Sequence, residues 1–207
     1  MTRPLVIAHR GASGELAENS LRAFERAIEV GADFVEFDVR ARSNGELVVT
    51  HNPPRDAHAL PTLAEVLDLC RGRIGVMAEL KTPYRYRRHR LIERTLALLD
   101  DEAVVVCFEA GAIARVRTLR PELRTVQHLA FVPLRVAAAR GCWAVGFEDR
   151  RATEHRLRTA QAYGLGTTVY TINDPARILE LATFGVTGIF TDRPREALRW
   201  LERGPAA

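Results

Sequence analysis

Lysine is almost missing from this chain. Of its 30 basic residues, Lys81 is the single lysine and the other 29 are arginine. A composition that avoids lysine so strictly and keeps one marks a position that needs a compact ammonium on a flexible stem in place of a planar guanidinium. Cysteine is scarce too. Cys70, Cys107 and Cys142 are odd in number, far apart and free of any C-x-x-C spacing, which argues against a disulfide framework or a zinc site and leaves them as small buried apolar side chains. No apolar run is long enough to span a bilayer, and only four apolar residues separate Pro4 from His9, too few for the core of a secretion signal. The expected location is therefore cytoplasmic. Nor is there a basic tail: the net charge of +4 is spread along the chain, which suits anionic ligands but forms no stripe or module for nucleic acid. The densest patch, Tyr84-Arg85-Tyr86-Arg87-Arg88-His89-Arg90, reads as the solvated first turns of a helix whose start lies close enough to Lys81 to hold a phosphate or its substituent.

What is present is an ordered series of polar groups, each at or just after a short apolar run. His9-Arg10-Gly11 follows Leu5-Val6-Ile7-Ala8, and Glu18-Asn19-Ser20, Glu36-Phe37-Asp38 and His51 come next. Side chains alternate across a strand, so Phe34, Glu36 and Asp38 share one face of the segment Phe34 to Val39. In Gly75 to Thr82 the same spacing puts Glu79 and Lys81 on a common face. Acids grouped on one side of apolar strands are costly unless a cation or a set of donors receives them. A hard divalent ion, magnesium or calcium, fits three carboxylates, and the whole order reads as a metal-dependent phosphodiester hydrolase site.

Apolar runs and helix-like segments alternate from one end to the other. The expected strands are 5–8, 34–39, 74–79, 103–107, 124–127, 143–146, 166–170 and 188–190, and the expected helices 20–30, 62–69, 90–99, 112–119, 132–139, 153–163, 175–183 and 194–201. Eight strands each followed by a helix is the pattern of a TIM-type (β/α)8 barrel, here a single domain over residues 1–207. A doubly wound open sheet has the same alternation. The location of His9, Glu36, Asp38 and Glu79 at the C-terminal ends of the first three strands selects the barrel, whose active sites are assembled there. Glu46 to Thr50 is expected as an extra short strand that returns His51 over the mouth, with Asn44-Gly45 as its turn.

These residues resemble the glycerophosphodiester phosphodiesterases. That family's pattern is an opening H-R-G, a P-E-N-T-like element, G-A-D-x-x-E-x-D-V, D-G-x-x-V-x-H-D, E-x-K and a closing G-V-D-G-I-x-T-D-x-P. Here they stand as His9-Arg10-Gly11, Ala17-Glu18-Asn19-Ser20, Gly31 to Val39, Asn44 to Asn52, Glu79-Leu80-Lys81 and Gly185 to Pro194. The resemblance implies a divalent cation bound by Glu36, Asp38 and Glu79, His9 and His51 as an acid and base pair, and Arg10 and Lys81 on phosphate oxygens. Glu18, Asn19 and Tyr170 are implied as possible substrate contacts, and hydrolysis of a glycerophosphodiester to glycerol 3-phosphate and an alcohol as the reaction. The chain departs from the pattern in three places. The insertion that usually caps the site is nearly absent, Asn52 replaces an aspartate, and Tyr170 stands where tryptophan is frequent.

Two other readings remain open at this stage. One is a barrel that binds a phosphodiester without turning it over, against which the retention of two histidines argues. The other is a phospholipase D-like hydrolase of lysophospholipids, which an exposed apolar rim drawn from Tyr84, Tyr86, Phe108, Phe131 and Phe147 would favour. Asp192 is expected to cap the last helix, Glu18 and Asn19 could equally cap the first, His58, His89 and His155 are expected at the surface, and His128 is an outside candidate for a site contact.

Overall fold

Each strand reads as a short apolar run because both of its faces are covered, one by helices and one by the other strands. The computed structural model describes residues 3–55, 59–130 and 132–203. Strands β1 (Leu5–His9), β2 (Phe34–Ala41), β4 (Gly75–Leu80), β5 (Val104–Cys107), β6 (Arg124–His128), β7 (Ala144–Glu148), β8 (Gly166–Tyr170) and β9 (Gly188–Thr191) pair in parallel in that order. Pairing of β1 with both β2 and β9 closes the ring, so the fold is an eight-stranded TIM-type barrel, as the alternation implied. The ninth strand, β3 (Leu47–Val49), runs antiparallel against the far end of β2, with Val39 opposite Val49. Its turn is Asn44-Gly45, where Gly45 has φ +87° and the Asn44 side chain accepts from the Glu46 amide at 2.9 Å.

Two apolar layers result. Ile7, Phe34, Met77, Val104, Val106, Val126, Ala144 and Phe190 fill the inside of the barrel, and Arg124 lies over the Phe34 and Trp143 rings at 5.7 and 5.0 Å from their centroids. The larger layer lies between the sheet and the helices, with Phe24, Phe37, Leu63, Ile113 and Leu157 fully buried there. The helices are α1 (Leu21–Glu29), α2 (Leu63–Cys70), α3 (Leu91–Leu96), α4 (Ala110–Leu119), α5 (Leu134–Ala139), α6 (Glu154–Ala162), α7 (Pro175–Thr183) and α8 (Pro194–Arg203). Ser20 caps α1 by accepting from the Ala23 amide, and Thr62 with Glu65 forms a reciprocal capping box on α2. Cys70, Cys107 and Cys142 are buried and free, as expected.

The basic patch differs from its sequence reading. Residues Pro83–His89 form a 3-10 segment, and left-handed Thr82 and Arg90, with φ of 42° and 51°, separate it from β4 and from α3. Proline at its first position suits a tight turn, and Tyr86 inside it is buried. His155 is exposed, His89 is half-buried, and His58 and Phe131 lie outside the described residues. No helix among the described residues is long and apolar enough to cross a membrane.

Candidate active site

Parallel register brings the predicted residues to one end of the barrel. His9 on β1 is level with Glu36 on β2, and Asp38 on β2 is level with Glu79 on β4. Inward positions are apolar at Ile7, Phe34 and Met77 and become His9, Glu36 and Glu79 two residues further along each strand, with Asp38 two beyond Glu36. Glu36, Asp38 and Glu79 are 1%, 0% and 6% exposed, and each offers a carboxylate oxygen within 4.8 Å of the others. His9, Arg10, Glu36, His51, Glu79, Lys81, Phe108, His128, Tyr170, Thr171 and Phe190 line a cleft of about 210 Å³ above them.

The loop after β1 is shaped by two consecutive left-handed residues, Arg10 at φ 57° and Gly11 at φ 83°. A side chain on Gly11 would lie 2.7 Å from the backbone of Ala23 in α1, so only glycine lets the loop sit this close to the helix. The turn points the Arg10 amide at Glu36 Oε2, 3.1 Å away, and carries its guanidinium back to Glu18 at 2.7 Å and Asp38 at 3.2 Å. Asn19, also left-handed at φ 55°, grips Asp38 twice: its amide nitrogen donates to Oδ2 at 2.8 Å and its oxygen accepts from the Asp38 backbone. Ser20, and neither Glu18 nor Asn19, caps α1; Glu18 is ion-paired with Arg10 and Asn19 is bonded to Asp38. Lys81 bridges Asp38 at 3.0 Å and Glu79 at 2.7 Å.

These neighbours treat the three acids unequally. Burial works against the Asp38 charge, but Lys81, Arg10 and Asn19 outweigh it and hold its pKa below the usual range. For Glu36 the Lys81 and Arg10 charges are not enough, and burial together with the Asp38 and Glu79 charges pushes its pKa well up. Burial raises Glu79 to about 7 despite Lys81. Glu36 Oε1 has no partner at all, and Asp38 Oδ1 and Glu79 Oε1 lack an aligned hydrogen-bond donor, having only the Lys81 ammonium nearby. Buried oxygens without donors are uncommon. With Glu36 Oε1 unpartnered and Asp38 and Glu79 sharing one ammonium, the three converging carboxylates form an oxygen set that fits a divalent cation.

The two histidines are held differently. His9 Nδ1 is 2.8 Å from Asp192 Oδ1, and Asp192 also receives Ser13 at 3.0 Å and Asn173 at 2.7 Å. Burial opposes ionisation of Asp192, yet these hydrogen bonds keep its pKa at about 2. A carboxylate accepts only, so Nδ1 of His9 carries the proton and Nε2 is left for the cleft. His51 follows β3, and its backbone carbonyl accepts from the buried Arg40 at 2.9 Å. Burial, then the Arg10 charge, lower the His51 pKa, so its ring is neutral at pH 7.

The sequence matches the Glycerophosphoryl diester phosphodiesterase family over residues 9–82 and 51–196. The chain belongs to that family. This family member is 26% identical to the glycerophosphodiester phosphodiesterase of Bacillus subtilis, across 93% of the chain and 84% of the relative. That alignment spans 249 positions against the 207 residues here, so the relative carries segments this chain lacks. In fold it is similar to an Oleispira antarctica phosphodiesterase solved with the product sn-glycerol-3-phosphate, with TM-score 0.87, 21% identity and 97% of both chains covered. It is also similar to a glycerophosphodiester phosphodiesterase from Parabacteroides distasonis, with TM-score 0.83, 24% identity and coverage of 98% of this chain and 99% of the other.

Two expectations for this phosphodiesterase need correction. Asp192 does not act as the cap of α8; its carboxylate turns inward to His9, Ser13 and Asn173. A contiguous apolar rim is missing among the described residues: Tyr84 and Phe108 are 46% and 36% exposed, but Tyr86 and Phe147 are buried. Three residues near the site have roles that the sequence did not assign. Arg40, a candidate ion-pair partner of Glu36 and Asp38, instead bonds the His51 carbonyl and Thr82. Asn173 bonds Asp192, and Ser13 bonds the His9 carbonyl at 2.7 Å.

Proposed function

We propose that this chain hydrolyses glycerophosphodiesters to glycerol 3-phosphate and an alcohol, with His9 and His51 moving the protons and Glu36, Asp38 and Glu79 holding a divalent cation. One observation carries the proposal: three buried carboxylates converge at the floor of the small cleft that two histidines and two cationic side chains line. Family membership and the Bacillus relative support the substrate class. Magnesium or calcium bound there supplies positive charge against which the phosphoryl oxygens are polarised.

The side chains divide the remaining work. A phosphodiester is anionic and repels nucleophiles, and Arg10 and Lys81 are the cations that offset charge on its equatorial oxygens. Their carboxylate partners hold both heads in the cleft before substrate arrives. His51, neutral at pH 7, suits the base that takes a proton from the attacking hydroxyl. His9 acts as the acid in its imidazolium form, with Nδ1–H held by the Asp192 carboxylate, and gives the second proton, on Nε2, to the leaving alcohol.

The test is release of glycerol 3-phosphate from glycerophosphocholine and glycerophosphoethanolamine, with magnesium, with calcium and with chelator, beside a His9→Ala control. Cation-dependent release that the control lacks is the expected result. Binding without turnover under every cation would move the assignment to a binding barrel.

A further inference from the structure

One wall of the cleft is aromatic, and a histidine sits in the middle of it. His128 ends β6 inside the barrel, with ring centroids 4.7 Å from Phe108, 4.3 Å from Tyr170 and 5.6 Å from Phe190. It is 3% exposed and lines the same cleft as His9, His51 and Lys81. Its Nδ1 is buried with no hydrogen-bond partner. An unpaired buried polar group is destabilising, and a leucine or methionine would fill this box without that cost.

The neighbouring strand makes room for the ring. Gly146 on β7 has no side chain, and a Cβ there would lie 2.0 Å from His128 Nδ1 and 2.6 Å from Cε1. No positive φ explains this glycine. Since the Nδ1 edge lies against Gly146, Nε2 is the nitrogen left for a ligand. Burial, with the Lys81 and His9 charges, takes the ring's pKa down to about 3, so it is no third acid or base at neutral pH. A neutral imidazole flanked by aromatic faces suits one uncharged polar group carried on carbon. That describes a hydroxyl, whereas a phosphate calls for an opposite charge and an ammonium would be held by the aromatic faces and not by the imidazole nitrogen.

We infer that His128 is a specificity-determining residue that hydrogen-bonds a hydroxyl on the glycerol arm of the substrate, with Gly146 giving it the space to do so. The inference rests on the glycerophosphodiester reading above. It predicts discrimination between ligands that share a phosphate and differ in hydroxyls.

The experiment compares wild type, His128→Leu and His128→Gln in magnesium and in calcium, titrating glycerol 3-phosphate and methyl phosphate and measuring kcat and KM for glycerophosphocholine. The leucine variant should bind glycerol 3-phosphate about tenfold or more weakly and show a raised KM, with methyl phosphate affinity unchanged. Glutamine keeps a donor and should recover most of the loss. Should the leucine variant fail to fold, Gly146→Ala, which displaces the ring without removing it, should give the same selective loss. Equal weakening for both ligands, or none for either, overturns the inference while leaving an active wild type in place. A wild type that turns over no glycerophosphodiester overturns the parent reading, and this one with it.

Discussion

Lys81 carries more argument than any other single side chain. Counting alone singled it out, and its ammonium now stands 3.0 and 2.7 Å from two buried carboxylates. A guanidinium at the end of a longer, planar fork cannot sit as a point charge between Asp38 and Glu79 in this space. Lys81→Arg should therefore lower kcat by on the order of tenfold or more, measured with glycerophosphocholine, and an unchanged rate would show the lone lysine to be a relic of composition. Asp192 shows what a local reading cannot see. Aspartate two residues before a helix-opening proline looks like a cap, and the partner that overrides this, His9, is 183 residues away. Asp192→Asn keeps the size but removes the negative charge beside His9 Nδ1 and puts an amide that can also donate in place of an acceptor-only carboxylate. It should cut kcat by on the order of tenfold or more with KM little changed, and a pure KM effect would mean that the pair only positions substrate.

At the scale of elements, the barrel strands were legible because two-sided burial leaves short apolar runs bounded by turn residues. The carboxylate sites were legible because a strand alternates, so spacing two fixes a shared face. The 3-10 segment Pro83–His89 was not legible, since its arginines and tyrosines fit an exposed helix equally well until Tyr86 is seen to pack inward. There its hydroxyl meets Arg40, which also reaches Thr82 at 3.1 Å and the His51 carbonyl at 2.9 Å. This buried arginine ties the β3 hairpin and the 3-10 segment together and fixes where His51 sits. Arg40→Met should keep the barrel folded and lower kcat/KM severalfold by loosening His51. Circular dichroism beside turnover checks it, and full activity would detach Arg40 from the site. By contrast, Thr62→Ala removes only a cap and should cost about 1 kcal/mol of stability with turnover unchanged.

Across the whole molecule, the interior changes from apolar at Ile7, Phe34 and Met77 to charged at the mouth, and His128 stands where the two meet. Burial disfavours the imidazolium, as do the Lys81 and His9 charges; Asp38 opposes them without prevailing. The ring's pKa falls from the ordinary 6.5 to about 3 on folding. Between those values the unfolded chain binds a proton there that the folded chain does not, so this group's contribution to stability is present above pH 6.5 and is lost as pH falls toward 3. The loss is roughly a few kcal/mol, a sizeable part of the stability of a domain this size. His128→Leu removes the titration while filling the same box. Its thermal midpoint, relative to wild type, should therefore rise progressively as pH is lowered from neutrality into the acid range. A difference between the two proteins that stays constant with pH would show that the folded barrel accepts the imidazolium, and the neutral, hydroxyl-reading role of His128 would lose its electrostatic basis.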